Sequence, residues 1–274
     1  MEEKTGRPSP DYGNWVPKRL LGLCAVVFFI SAALLAASFL PCVRTSAALR
    51  AALWALRAVL AALCCLAAIS FKILYRAHRD FSYSGGRLSD KILDYVVENL
   101  RWDGRGKILD IGCGGGALAV KIAKRFPEAE VTGLDYWGLK WDYCKEQCEK
   151  NAAIEGVGER IKFIRGDAAE LPFKDGEFDA AVSNLVFHEV GSQPDKKLLV
   201  KEALRVVKPG GGFVFHDLFY RAGTYGSTPA LEEYLRELGA ADIRMKKTAG
   251  EIDMPEYLRG KIFLATGGMI YGTK

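Results

Sequence analysis

Apolar and polar positions along the chain fall into two regimes. From Leu20 to Leu40 (LLGLCAVVFFISAALLAASFL) no charge interrupts the run, and at ~1.5 Å per residue its length matches a ~30 Å hydrocarbon core. A second apolar run, Ala51 to Phe71, is equally long and contains Arg57. The pattern predicts a transmembrane helical hairpin, with spans at about 20–40 and 51–71 and a short linker, Pro41–Arg50. An arginine at a bilayer centre costs about 2.5–3.5 kcal/mol, but Arg57 lies about two turns from the end of its span and can snorkel. A signal peptide is the weaker reading, because the first run exceeds a usual apolar core and lacks a small-residue cleavage site. A buried hairpin of a soluble protein is the other alternative.

From about residue 81 the texture changes to short apolar runs alternating with helical periodicity. Leu88–Leu100 repeats apolar residues at helical spacing behind Ser89 as N-cap. Strands are predicted at Lys107–Ile111, Glu130–Leu134, Ile161–Arg165, Phe178–Ser183 and Gly212–Asp217, and near Ile243–Lys247 and Ile262–Gly267. Helices are predicted at Ala117–Phe126, about Trp141–Glu155, Asp195–Val207 and Leu231–Leu238, with Lys208-Pro209-Gly210-Gly211 stopping the third. Strands separated by helices imply an α/β fold, a parallel sheet with helices on both faces. The expected organisation is a tail over 1–19, two spans within 20–71, a juxtamembrane linker and possible lid over 72–87, and a domain over 88–274.

Charge is unevenly divided. The net charge is +5, yet residues 1–80 hold 10 Lys/Arg against 4 Asp/Glu, so the domain itself is close to neutral. That argues against nucleic acid as a partner, since a phosphate backbone asks for a basic face. Lys4, Arg7, Lys18 and Arg19 precede the first span, and Lys72, Arg76 and Arg79 follow the second, whereas the linker holds Arg44 and Arg50. The positive-inside rule then places both termini and the domain in the cytoplasm. The 7 cysteines show no disulfide framework. Cys144 and Cys148 lie one helical turn apart, a spacing open to a soft metal but more simply two small residues on one helix face.

The chemistry concentrates after the strands, where open α/β sheets bind ligands. Gly112-Cys113-Gly114-Gly115-Gly116 follows the first strand, Asp135 the second, Asp167 the third, Asn184 the fourth and Asp217 the fifth. A glycine turn followed by an acid after the next strand suits any adenosine cofactor, dinucleotides included. Asp110, two residues ahead of the first glycine, suits a cationic ligand group better than a pyrophosphate. With Asp135 and Asp167 it outlines a site for an amino-acid-bearing, cationic nucleoside.

ILDIGCGGGALA, VTGLDYW, GDAAELPF, FDAAVSNLVFHEV and EALRVVKPGGGFVFHD follow in the order and spacing of class I S-adenosylmethionine-dependent methyltransferases. The chain resembles the small-molecule and quinone or sterol group of that family over roughly residues 83–270. The resemblance implies a Rossmann-like, seven-stranded, mostly parallel sheet whose last strand is antiparallel, with S-adenosylmethionine as cofactor and no metal. By position, Asp110 and Gly112 resemble the residues that orient the methionine amino group, with Cys113 and Gly114 giving backbone contacts. Asp135 resembles the ribose acid, and the resemblance implies that Tyr136 would pack by the adenine, Asp167 and Ala168 would meet the adenine edge, and Asn184 and Leu185 would line the methionine end.

A general base is needed only for a protonated acceptor. His188, with Glu189 beside it after the fourth strand, is the first candidate for a base or acceptor-orienting group. His216 reads as structural and His78 as interfacial, while Trp137 and Trp141 suit either packing or the acceptor pocket. Phe81–Arg87 suits a lid or a plain linker, and glycine-rich Phe219–Pro229 lies where an acceptor would bind. The leading expectation is a membrane-anchored methyltransferase whose partners are the bilayer and a small lipophilic acceptor. An NAD(P)-dependent oxidoreductase and a non-catalytic membrane adaptor are the alternatives.

Overall fold

The computed structural model describes residues 8–40, 46–138, 144–260 and 265–274, and it divides into two compact units. Asn14–Arg87 forms one, and the described residues up to Gly13 join Leu88–Lys274 in the other.

The smaller unit is a helical hairpin of α1 (Lys18–Ala37) and α2 (Ala47–Phe81). Both helices are long and apolar enough to cross a membrane. Among the described residues, every exposed large hydrophobic side chain except Tyr136 and Leu198 lies between Leu20 and Tyr75. Arg57 reaches the C-terminal end of α1, where its Nη2 donates to the Ser38 carbonyl at 2.6 Å and its Nε to Ser38 Oγ at 3.2 Å. Its guanidinium also sits 4.1 Å from the Phe39 ring centroid. The charge is thus met by carbonyl, hydroxyl and ring within the hairpin.

Residues 72–81, read from the sequence as the start of a linker, continue α2. Leu60, Ala67 and Phe81 are buried and fall on a seven-residue spacing, with buried Ala77 beside them, so the seam runs on past Lys72 and Arg76. At this end Trp15 packs on Phe81 with ring centroids 5.4 Å apart, and His78 Nδ1 lies 2.8 Å from the Val16 carbonyl.

The larger unit is a seven-stranded sheet in the order β3-β2-β1-β4-β5-β7-β6. Its strands are β1 (Gly106–Ile111), β2 (Ala129–Asp135), β3 (Ile161–Arg165), β4 (Phe178–Asn184), β5 (Val207–Asp217), β6 (Ala241–Lys247) and β7 (Gly268–Thr273). β1 to β5 run parallel, and β7 is antiparallel to both β5 and β6. Helices α3 (Leu88–Glu98), α4 (Ala117–Arg125), α5 (Lys145–Ile154), α6 (Lys196–Arg205), α7 (Ala222–Tyr225), α8 (Thr228–Glu237) and α9 (Thr248–Glu251) connect and cover it. α4 shows why these segments fold so: Leu118, Ala119, Val120, Ile122 and Ala123 are buried while Lys121, Lys124 and Arg125 are not, a helical stripe against the sheet.

Two boundaries depart from the expectation. The last strand is Gly268–Thr273, beyond the predicted Ile262–Gly267, of which residues 262–264 lie outside the described set. Met269, Ile270 and Tyr271 pair with His216, Phe215 and Val214, and this burial outweighs the two flanking glycines. Lys208–Gly211, predicted as a helix-stopping turn, begins β5 instead, with an irregular register opposite Phe178–Ala180. α5 begins at Lys145; the predicted start at Trp141 lies outside the described residues.

Candidate functional site

Strand order reverses between β1 and β4, so the crevice at their carboxyl ends is where an open α/β sheet takes a ligand. The glycine turn lies there, and most of its amides are already committed. The amides of Gly112 and Cys113 donate to the Leu134 carbonyl at 2.7 and 3.0 Å. Gly114 N donates to Asp135 Oδ2 at 2.9 Å, and Gly116 N to the Cys113 carbonyl at 2.8 Å. The Ala119 amide, in the first turn of α4, bonds the Asp110 carboxyl. The Asp110 carboxyl therefore occupies this helix N-terminus, the place where a dinucleotide fold puts pyrophosphate. A cationic group fits the crevice; a phosphate does not.

Asp110 is 1 % exposed, and its Oδ2 is buried without a hydrogen-bond partner. Burial, then the nearby charge of Asp135, pushes its pKa up to about 8, against which the Ala119 amide works. A ligand carrying an ammonium or sulfonium would relieve both penalties. Asp135 holds the turn on two sides: Oδ2 takes Gly114 N, and Oδ1 takes Trp137 N at 2.7 Å. Each oxygen keeps a further lone pair for a ribose hydroxyl. Gly112 has φ +73°, and a Cβ there would fall inside the Val186 side chain, so the segment after β4 rests directly on the turn. Cys113 is buried and its thiol is held well above its ordinary pKa by that burial, so it is no nucleophile.

The other expected contacts divide. Trp137, with φ 44°, donates Nε1–H to the Gly114 carbonyl at 3.0 Å and braces the turn. Tyr136 is 61 % exposed, its ring 5.3 Å from the Arg165 guanidinium carbon. Asp167 Oδ1 accepts the Ala169 amide at 2.9 Å, and Ala168 is buried. Asn184 turns its Oδ1 to His216 Nδ1 at 2.7 Å, and Leu185 takes a left-handed φ of 56° as the chain leaves β4. Buried His216, held also by Thr248 Oγ1 at 2.7 Å, has its pKa lowered to about 4, chiefly by burial, and stays neutral. Cys148 is buried and donates to the Gly114 carbonyl, while Cys144 is exposed at the N-cap of α5.

His188 stands on a 3-10 turn, Phe187–Glu189, after β4. Its Nδ1 lies 2.7 Å from Asp217 Oδ1, and its backbone amide donates to Asp217 Oδ2 at 3.3 Å. Asp217, at the end of β5, is fully buried and also accepts the Leu218 amide at 2.6 Å. A carboxylate partner fixes the proton on Nδ1 and leaves Nε2 as the exchanging atom. Nε2 is 3.3 Å from Glu189 Oε1. Burial works to lower the imidazole pKa, but the hydrogen bonds and charges of Asp217 and Glu189 overcome it and raise it to about 9. The sequence places Asp217 at the active edge; its hold on His188 spans 29 residues and has no local signal.

Residues 109–215 match the family model described as a methyltransferase domain, from within β1 to within β5. A sterol 24-C-methyltransferase of Aspergillus fumigatus is 37 % identical over 107 residues, 39 % of this chain and 26 % of that protein. A demethylmenaquinone methyltransferase of Staphylococcus aureus is 39 % identical over 106 residues, 38 % of this chain and 40 % of that protein. The chain thus spans well under half the length of these curated relatives. Among solved structures, geranyl diphosphate C-methyltransferase from Streptomyces coelicolor superposes with TM-score 0.52 at 15 % identity, covering 69 % of this chain and 80 % of that one. That likeness establishes the fold.

Asp110 carries a prediction. At pH 7 it is mostly protonated in the free protein, and a cationic nucleoside drives it to the carboxylate. Binding of S-adenosylhomocysteine, through its ammonium group, should release much of a proton at pH 7, the release falling away as the pH rises past about 8. Calorimetry in buffers of different ionisation enthalpy reads this. Asp110→Asn should abolish the release and weaken binding about tenfold or more; unchanged proton release in that variant would assign the proton elsewhere.

Proposed function

We propose that this chain, whose residues 109–215 form a class I methyltransferase domain, moves a methyl group from S-adenosylmethionine to a small lipophilic acceptor at the cytoplasmic face of a membrane. The observation that carries the cofactor reading is the buried carboxyl of Asp110, its Oδ2 unpartnered, behind a turn in which the amides of Gly112, Cys113, Gly114 and Gly116 are already bonded. When bound, S-adenosylmethionine supplies an electrophilic methyl on a sulfonium. Asp110 and the Gly112–Gly114 backbone would face the methionine end, Asp135 the ribose, and Asp167 with Ala168 the adenine edge. Asn184, clamped to His216, would shape the wall by the methyl group, with Leu185 beside it. Tyr136 would need to turn from Arg165 to cover the adenine.

The acceptor reading rests on the hairpin. Its apolar side chains are exposed along most of both helices, unlike those of a soluble protein's core helix. The matched relatives are named for a sterol and a demethylated menaquinone, both lipophilic. The basic residues flanking the spans support cytoplasmic termini.

His188 would hold or accept the acceptor's proton at Nε2, with Asp217 as the positioning residue that sets its tautomer. With its pKa near 9, His188 is protonated at neutral pH in the free protein, so base activity should rise with pH through that range. Asp217→Asn should shift this limb toward the ordinary imidazole value, and His188→Ala should remove it with a loss of about 100-fold in kcat. An unaltered pH–rate profile in His188→Ala would remove the residue from the chemistry.

Membranes incubated with the full chain and methyl-labelled S-adenosylmethionine should carry label in the solvent-extractable lipid fraction. Replacing residues 20–71 by a polar linker should lower that label about tenfold or more while S-adenosylhomocysteine still binds. Label found in the protein or aqueous fraction would contradict the lipophilic acceptor.

A further inference from the structure

The N-terminal segment ahead of the hairpin folds with the sheet domain, although more than seventy residues separate them in the chain. Its attachment is Asn151 on α5, which is fully buried. Asn151 Oδ1 accepts the Asp11 amide at 2.8 Å, and its Nδ2 donates to the Asp11 carbonyl at 2.7 Å. The side-chain amide thus pairs with one residue of backbone from both sides, as a neighbouring strand would. The same Nδ2 donates to the Gly115 carbonyl at 2.9 Å, inside the glycine turn, and Gln147 Nε2 completes Oδ1 at 3.0 Å. Alongside, Tyr12 OH donates to Glu155 Oε1 at 3.2 Å.

Gly115 gives an independent sign of the same contact. Gly112, Gly114 and Gly116 have positive φ, and Gly115 does not. A Cβ on Gly115 would stand 2.9 Å from the Tyr12 carbonyl oxygen and 3.2 Å from its Cα. The close approach of the N-terminal backbone, not the turn's own conformation, is what excludes a side chain there.

We infer that Asn151 is a positioning residue for the cofactor turn and that Ser9–Gly13 is the strap it holds against Gly115. The inference rests on the turn being the cofactor site, as proposed above. The strap adds a layer behind Gly114–Gly116 and links the turn to the chain that enters the first apolar helix. Removing the whole N-terminal region would then cost more than the anchor: the turn would lose its backing. The pairing is buried and reciprocal, so loss of either partner leaves the other's polar groups unsatisfied.

The test uses the full chain in detergent micelles, with three variants: Asn151→Ala, deletion of residues 2–12, and both together. Each single change should raise the Kd for S-adenosylhomocysteine about tenfold, and the pair together no more than either alone, because both remove one contact. The KM for S-adenosylmethionine should rise in step while kcat stays within about twofold. Gly115→Ala should weaken binding in the full chain and have no added effect once residues 2–12 are gone. Hydrogen exchange of the amides of residues 112–117, measured without ligand, should quicken in every variant. A deletion variant that keeps both wild-type Kd and wild-type exchange overturns the strap, as do effects that multiply in the double variant. If exchange responds as predicted but the wild-type chain does not bind S-adenosylhomocysteine, the strap stands and the cofactor reading fails.

Discussion

A buried carboxyl group with one unpaired oxygen, Asp110, governs the carboxyl edge of this sheet. It sits at the N-terminus of α4, beside a second acid, Asp135, in surroundings that penalise charge. Such a group is costly unless something cationic meets it, and the same position in a phosphate-binding fold is kept for the ligand's anion. The turn follows from that constraint. Its amides fold back on Leu134, Asp135 and Cys113, and its carbonyls are taken by Trp137, Cys148 and Asn151. The glycines are spaced for backbone curvature and for close neighbours: Val186 on one side and Tyr12 on another.

A second acid, Asp217, organises the neighbouring strand ends in a related way. It is buried, takes a backbone amide from each of two segments, and holds the His188 ring by Nδ1. Next to it His216 is kept neutral between Asn184 and Thr248. Two imidazoles at one sheet edge therefore differ in charge at neutral pH: burial prevails at His216, whereas Asp217 and Glu189 outweigh it at His188. The charged one is also the more exposed.

Local pattern made the sheet legible. β1, the turn and α4 were readable because an apolar run, glycines and a helical stripe follow one another within twenty residues. β7 was misplaced because Gly268 and Gly272 flank its buried core and disguise it as a turn. α2 was cut short because Lys72 and Arg76 lie on its open face and hide a seam continuing through Ala77 and Phe81. In the site, Asp110 announces itself just ahead of the glycine turn, and Asp135 and His188 by position after a predicted strand. Asn151 does not: it looks like any polar residue in a polar helix, and its partner lies 140 residues away. Contacts of that range depend on the tertiary fold and leave no periodicity behind.

The central claim is that this glycine turn receives a nucleoside bearing an amino-acid ammonium and not a dinucleotide. Parallel calorimetric titrations of the full chain with S-adenosylhomocysteine and with NADH at pH 8 test it most directly. Saturable binding of S-adenosylhomocysteine with no heat from NADH is the expected result. Saturable binding of NADH, with none of S-adenosylhomocysteine, would contradict the account at its root.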